Sequence, residues 1–177
     1  MKKLETIRLL ALDVDGVLTD GGIIIGQDGE LCKRFHAQDG LGISCALRND
    51  LIIAIITGRT SQIVSQRARE LGITEIYTGI KDKSLVLNKL AVNHRLDLSQ
   101  VAYMGDDLND LPALHLAGYA CAPANAVSEV QACADLVTQA CGGAGAVREV
   151  IESILKARGI WEQVVASYVQ KGQGDSQ

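Results

Sequence analysis

Leu9-Leu10-Ala11-Leu12-Asp13-Val14-Asp15-Gly16-Val17-Leu18-Thr19-Asp20 opens with apolar residues and ends in carboxylates. The apolar run Leu9–Val14 is short and continuous, as in a strand covered on both faces. The residues after it are polar and glycine-containing, as in a loop at a strand's carboxyl end. Leu51–Ile56 repeats the apolar signature, and the same alternation continues downstream. Glu75–Tyr77, Val101–Met104, Tyr119–Ala122 and Leu136–Val137 read as further strands. Helices are expected from Asp39 as cap to Arg48, from Thr60 as cap through Leu71 with Gly72 as stop, and from Asp82 to Arg95. Others are expected over Asp110–Leu116, Ala146–Arg158 and Trp161–Val169. Ile23–Ile25 and Leu31–His36 flank the turn residues Gly26-Gln27-Asp28-Gly29 and predict a hairpin.

Strand–helix alternation of this kind predicts an α/β fold, Rossmann-like and doubly wound around a mostly parallel sheet. The length of 177 residues suits one domain. That domain is expected over 1–170, with the hairpin as a small flap at about 22–36 and a flexible tail over 171–177. The chain is 47% hydrophobic and 21% charged, which excludes wholesale disorder. A net charge of −4 and an aromatic content of 3% argue against a nucleic-acid-binding face. No apolar run approaches the roughly 20 residues of a membrane span, and the basic start Met1–Glu5 leads into no signal-type stretch. Five cysteines without a C-x-x-C pair predict reduced thiols and a cytoplasmic setting.

Parallel sheets bind ligands beyond the carboxyl ends of their strands. The residues there are Asp13 and Asp15; Thr57, Gly58 and Arg59; Lys83; and Gly105-Asp106-Asp107-Leu108-Asn109-Asp110. Carboxylates converging on one rim repel unless a cation sits among them. Hard oxygen donors with a substrate phosphate suit Mg²⁺. A cation, an ammonium and backbone amides together suit attack on an anionic phosphate ester. Glycine at 58 would let the backbone approach a phosphate closely.

The four segments, in this order, resemble the motifs of the haloacid dehalogenase superfamily of phosphatases. More narrowly, Phe35–Ile43, Ala54–Arg59, Arg67–Ile73 and Gly142–Glu149 resemble the 3-deoxy-D-manno-octulosonate 8-phosphate (KDO 8-phosphate) phosphatases of lipopolysaccharide synthesis. The resemblance implies Asp13 as nucleophile, Asp15 as acid and base, and Lys83 as the neutralising cation. It implies Mg²⁺ held by Asp13, Asp106 and the backbone carbonyl of Asp15. Thr57, Gly58 and Arg59 would bind the sugar phosphate. Asp107 would orient Lys83 and water, with Asn109 and Asp110 behind as supporting or helix-capping groups. Spacing within the family favours Lys83 over Lys81. A basic residue is common where this chain has Ala144, with Arg148 as its stand-in, and Gly142–Gly145 could hold an anion at the next helix's start. His36 is expected mainly to shape its loop.

The resemblance also implies a homotetramer in which hairpins pack together and a neighbouring subunit closes the active site, its tail reaching the pocket. The intervals between the motifs are already filled by strands and helices, so no cap domain is expected. A nine-carbon sugar acid phosphate, such as KDN or sialic acid 9-phosphate, is the alternative substrate. A receiver-like signalling domain uses similar residues, but with the acceptor aspartate after a middle strand.

Overall fold

The computed structural model describes residues 4–27 and 29–174; the expected turn residue Asp28 and the end of the tail, 175–177, lie outside the described residues. Six strands form one sheet in the order β5-β4-β1-β6-β7-β8, and every pairing is parallel. They are β1 (Leu9–Leu12), β4 (Ile52–Ile56), β5 (Glu75–Tyr77), β6 (Val101–Met104), β7 (Tyr119–Ala122) and β8 (Leu136–Val137). In β1 all four residues are buried. Alternate side chains point to opposite faces. Leu10 and Leu12 join Ile53 and Ile55 on one face, and Leu9 and Ala11 join Ala54 and Ile56 on the other.

The first face is covered by α1 (Ala37–Arg48), α2 (Gln62–Leu71) and α6 (Ala146–Ala157), through residues such as Ile43, Val64 and Ile151. The second is covered by α3 (Lys83–Asn93), α4 (Leu111–Leu116) and α5 (Ser128–Cys133), through Leu87, Leu114 and Val130. Helix α5, with one buried residue in six, is an addition to the expected elements; so short a turn has almost no periodicity to read. Helix α7 (Trp161–Gly174) runs five residues beyond the expected Val169, into the stretch expected as tail.

Helix ends follow local chemistry. The hydroxyl of Ser61, rather than the expected Thr60, caps α2 by accepting from the Val64 amide at 3.2 Å. Gly72 closes α2 with φ +81°, a conformation that costs glycine little. Asp82 caps α3, accepting from Ser84 and Leu85. Asp39, expected as the cap of α1, sits in that helix's first turn and serves another helix. Its carboxylate accepts from the Arg148 amide at 2.7 Å and the Gly145 amide at 3.3 Å. It thereby satisfies two orphan donors at the start of α6 and ties α1 to it.

β2 (Ile24–Gly26) and β3 (Gly29–Cys32) pair antiparallel as a separate two-stranded hairpin, with a register shift between Ile24 and Ile25. The second strand ends at Cys32, not at His36; Phe35 turns to pack against the core and His36, still extended, is the residue from which α1 starts.

Candidate active site

β1 has β4 on one side and β6 on the other, so the strand order reverses direction at β1 and opens a crevice at its carboxyl end. A cleft of about 330 Å³ lies there, lined by Asp13, Asp15, Thr57, Arg59, Asp106 and Asn109 among others. All four sequence segments reach it or support it.

Asp13, just past β1, is buried, and its Oδ2 accepts from Lys83 Nζ at 2.9 Å. Lys83, the first residue of α3, is also buried and donates to Asp110 Oδ1 at 2.6 Å. Asp110 is wholly buried. Its Oδ1 accepts a second bond from the Tyr103 hydroxyl at 2.6 Å, and its Oδ2 accepts from the amides of Asp106 (3.0 Å) and Asp107 (3.3 Å). Four donors therefore saturate one carboxylate, close to its full acceptor capacity. Burial holds the Tyr103 phenol well above its usual range, with the Asp110 charge adding to it, so the phenol remains a donor.

The expected division of labour between two aspartates is thus reversed. Asp110, not Asp107, holds Lys83. Asp107 is exposed and its Oδ1 accepts from the Leu108 amide at 2.7 Å, capping the short 3₁₀ turn Leu108–Asp110. That turn brings Asp110 back under the loop. Gly105 permits the approach, since a Cβ there would lie 2.4 Å from the Asp110 Cβ.

Asp13, Asp106 and Asp110 each offer a carboxylate oxygen, all within 4.8 Å of one another. Asp110 is saturated by its donors. Asp13 Oδ1 is buried and has no hydrogen-bond partner among the described residues. A buried, unpaired carboxylate oxygen is costly unless something else binds it. Asp13 Oδ1 and the Asp106 carboxylate thus fit a divalent cation with a preference for oxygen donors. Burial pushes Asp13 up to about 6, reinforced by the Asp110 charge and opposed by Lys83. Burial pushes Asp106 up to about 7, with Asp13, Asp110 and Asp107 adding to it. Burial pulls the Lys83 ammonium down, but the two carboxylates outweigh it and hold it above the usual lysine value. One buried cation among three acids leaves negative charge in excess, as a site for a further cation requires.

The Asp15 side chain faces the same cleft. Its Oδ1 accepts from Lys33 Nζ, and Arg59 Nε lies 3.9 Å from its Oδ2. Thr57 is buried at the end of β4, its hydroxyl accepting weakly from the Arg59 amide at 3.4 Å. A Cβ at Gly58 would meet only the Ile80 carbonyl, at an ordinary 3.7 Å. The protein's own packing therefore does not demand glycine there; the open space lies toward the cleft.

Other expectations are corrected. The start of α6 holds the chain's own Asp39 carboxylate instead of an outside anion. Gly142 and Gly143 are packing glycines: added Cβ atoms would lie 1.7 Å from the Gly16 carbonyl and 2.5 Å from the Asp20 amide. Arg148 is committed to Glu152 at 2.7 Å and stacks 5.0 Å over the Trp161 ring, so it does not stand in for a basic residue at exposed Ala144. His36 lies 3.8 Å from Asp39 beside a cavity of only about 10 Å³, away from the cleft.

Lys33 and Tyr103 are the residues sequence reasoning missed. Tyr103 carried a usable signal, a lone phenol in an aliphatic buried strand, since buried tyrosines need a partner. Lys33 carried none; Glu30 and Lys33 look like any surface pair three residues apart.

A buried carboxylate held by a buried lysine, with a second carboxylate beside it that fits a cation, at the switch point of a parallel sheet, is the arrangement of a phosphoryl-transfer hydrolase. A family model described as haloacid dehalogenase-like hydrolase matches residues 72–151. The chain is 46% identical to the 3-deoxy-D-manno-octulosonate 8-phosphate phosphatase of Escherichia coli, over 90% of this chain and 85% of that one. The crystal structure of that phosphatase from Moraxella catarrhalis, in complex with magnesium ion, phosphate ion and KDO, superposes with a TM-score of 0.91 at 44% identity. It covers 93% of this chain and 95% of that one. The cobalt-bound enzyme of Haemophilus influenzae gives 0.87 at 39% identity, covering 89% and 92%. The chain belongs to the 3-deoxy-D-manno-octulosonate 8-phosphate phosphatase family of haloacid dehalogenase-like hydrolases.

Proposed function

We infer that the protein is a Mg²⁺-dependent phosphatase that hydrolyses KDO 8-phosphate to KDO and phosphate, a step in the supply of lipopolysaccharide precursors. The observation that carries this reading is Asp13: one oxygen held by Lys83 at 2.9 Å, the other buried without a hydrogen-bond partner among the described residues, with Asp106 beside it. The family relation supplies the substrate, because the phosphatases this chain resembles are named for it.

Asp13 and Asp106 would hold the cation, joined by the backbone carbonyl of Asp15. When bound, Mg²⁺ offsets charge on the carboxylates and on the phosphoryl oxygens. An oxygen of Asp13 attacks phosphorus, and the bond from phosphorus to the sugar oxygen breaks. Asp15 delivers its proton to that leaving oxygen. The aspartyl phosphate then loses its phosphoryl group to a water whose proton returns to Asp15, which restores both carboxyl groups. Lys83, fixed by Asp110, keeps Asp13 aimed and neutralises the phosphoryl group. Thr57 and the Gly58 amide bind phosphate oxygens, and Arg59 reaches the substrate from the rim.

The hairpin exposes Ile23, Ile24, Ile25 and Leu31, an apolar surface suited to burial between subunits. A homotetramer closing the cleft with a neighbouring subunit fits this surface. The cysteines are free, and no helix among the described residues is long and apolar enough to cross a membrane. A cytoplasmic location fits both. The deciding experiment is phosphate release over a panel of sugar phosphates, with Mg²⁺ and with EDTA. KDO 8-phosphate should give the highest kcat/KM and EDTA should abolish release. A higher value for a nine-carbon acid 9-phosphate would transfer the assignment to that substrate. Full activity of a monomer at high dilution would refute subunit closure.

A further inference from the structure

The hairpin puts one charged side chain into the site. Lys33 follows β3 directly, and its side chain is 1% exposed although it belongs to a flap. Its ammonium donates to Asp15 Oδ1 and lies 3.0 Å from Glu30 Oε1. Glu30 in turn accepts from the Ser61 hydroxyl, the group that caps α2. A chain of polar contacts therefore runs from the start of α2, through the hairpin, to the carboxylate of Asp15.

A two-stranded hairpin alone is marginal in water, and this one leaves Ile24, Ile25 and Leu31 exposed. Its position over the cleft depends on its attachments. Arg34 with Asp20 is an exposed pair of small worth. The Lys33 contacts are shielded, hence little screened by salt. The other charged partner of Asp15, Arg59, stands 3.9 Å away on a half-exposed side chain. Proton delivery is sensitive to placement within hydrogen-bonding range.

We propose that Lys33 is a positioning residue for the reaction: it holds the Asp15 carboxyl toward the leaving oxygen, and Glu30 and Ser61 fix Lys33 in that place. The proposal rests on the reading of Asp15 as acid and base. Its consequence is selective. An alkoxide leaving group needs the proton; an aryl oxide leaves with little help. Lys33→Met keeps the length of the side chain and removes the ammonium.

The test compares KDO 8-phosphate with p-nitrophenyl phosphate, with Mg²⁺, for the wild type and for Lys33→Met, Lys33→Arg, Glu30→Gln and Asp15→Asn. Lys33→Met should lower kcat on the sugar phosphate about tenfold or more with KM moved less than threefold. It should lower first-turnover release of nitrophenolate less than threefold. Lys33→Arg should recover part of the loss, and Glu30→Gln should show the same selectivity at smaller size. Equal losses on both substrates, or a loss confined to KM, would overturn the proposal. If Lys33→Met does not fold, Glu30→Gln decides by the same ratio. Absence of selectivity in Asp15→Asn would remove the underlying acid role; selectivity there without it in the Lys33 and Glu30 variants would remove only the positioning role.

Discussion

Asp110→Asn is a sharp perturbation, because the carboxylate accepts four hydrogen bonds and the amide cannot. Whichever way the amide is turned, its NH₂ faces two donors. It meets either Lys83 and Tyr103, or the amides of Asp106 and Asp107. At least one bond is lost, since only the Tyr103 hydroxyl can turn to accept from the NH₂, and Lys83 retains Asp13 as its only carboxylate partner among the described residues. Removing one partner of a buried ion pair costs about 3–5 kcal/mol. Total stabilities run to roughly 5–15 kcal/mol, so the fraction lost is large. For a chain of this size the melting temperature should fall on the order of 10 °C. The assay is guanidinium and thermal unfolding in EDTA at pH 7, with Asp107→Asn beside it. Asp107 caps one turn from an exposed position and an asparagine oxygen can accept the same amide, so Asp107→Asn should cost well under about 1 kcal/mol. Asp110→Asn within 1 kcal/mol of the wild type, or less damaging than Asp107→Asn, would refute this account of the site's support.

Asp13 and Asp106 are pushed up to about 6 and about 7. In EDTA the folded protein retains protons that the unfolded chain has released, so their contribution to stability is present below about pH 4 and lost as pH rises through 6 and 7. Mg²⁺ competes with those protons, so the Tm difference between Mg²⁺ and EDTA should grow from pH 5 to 8; a constant difference would contradict the shifts. Gly16→Ala would place a Cβ 2.0 Å from Asp106 Oδ2 at a φ of +86°. Calorimetry should show Mg²⁺ affinity reduced at least tenfold; unchanged affinity would mean that Asp106 is not a ligand. Asp39→Ala should destabilise by about 1–2 kcal/mol in denaturant melts, through the start of α6, with kcat within threefold; a collapse of kcat instead would place Asp39 in the chemistry.

The sheet was legible because β1, β4 and β6 are unbroken apolar runs, and the cleft because the polar residues follow them. The support of the site was not. Asp106, Asp107 and Asp110 are the same residue type within five positions, and only the 3₁₀ turn decides which of them is buried. Asp39 reads as a local cap, yet it caps a helix more than a hundred residues away, a contact with no local pattern. Lys33 was hidden because pairing between a flap and a loop leaves no periodicity.

Trapping the covalent intermediate tests the central claim most directly. Acid quenching during turnover of KDO 8-phosphate with Mg²⁺, followed by peptide mass mapping, should find one phosphoryl group on Asp13, absent in Asp13→Asn. Steady phosphate release by a protein that never carries that group, or that carries it on another residue, would contradict the account.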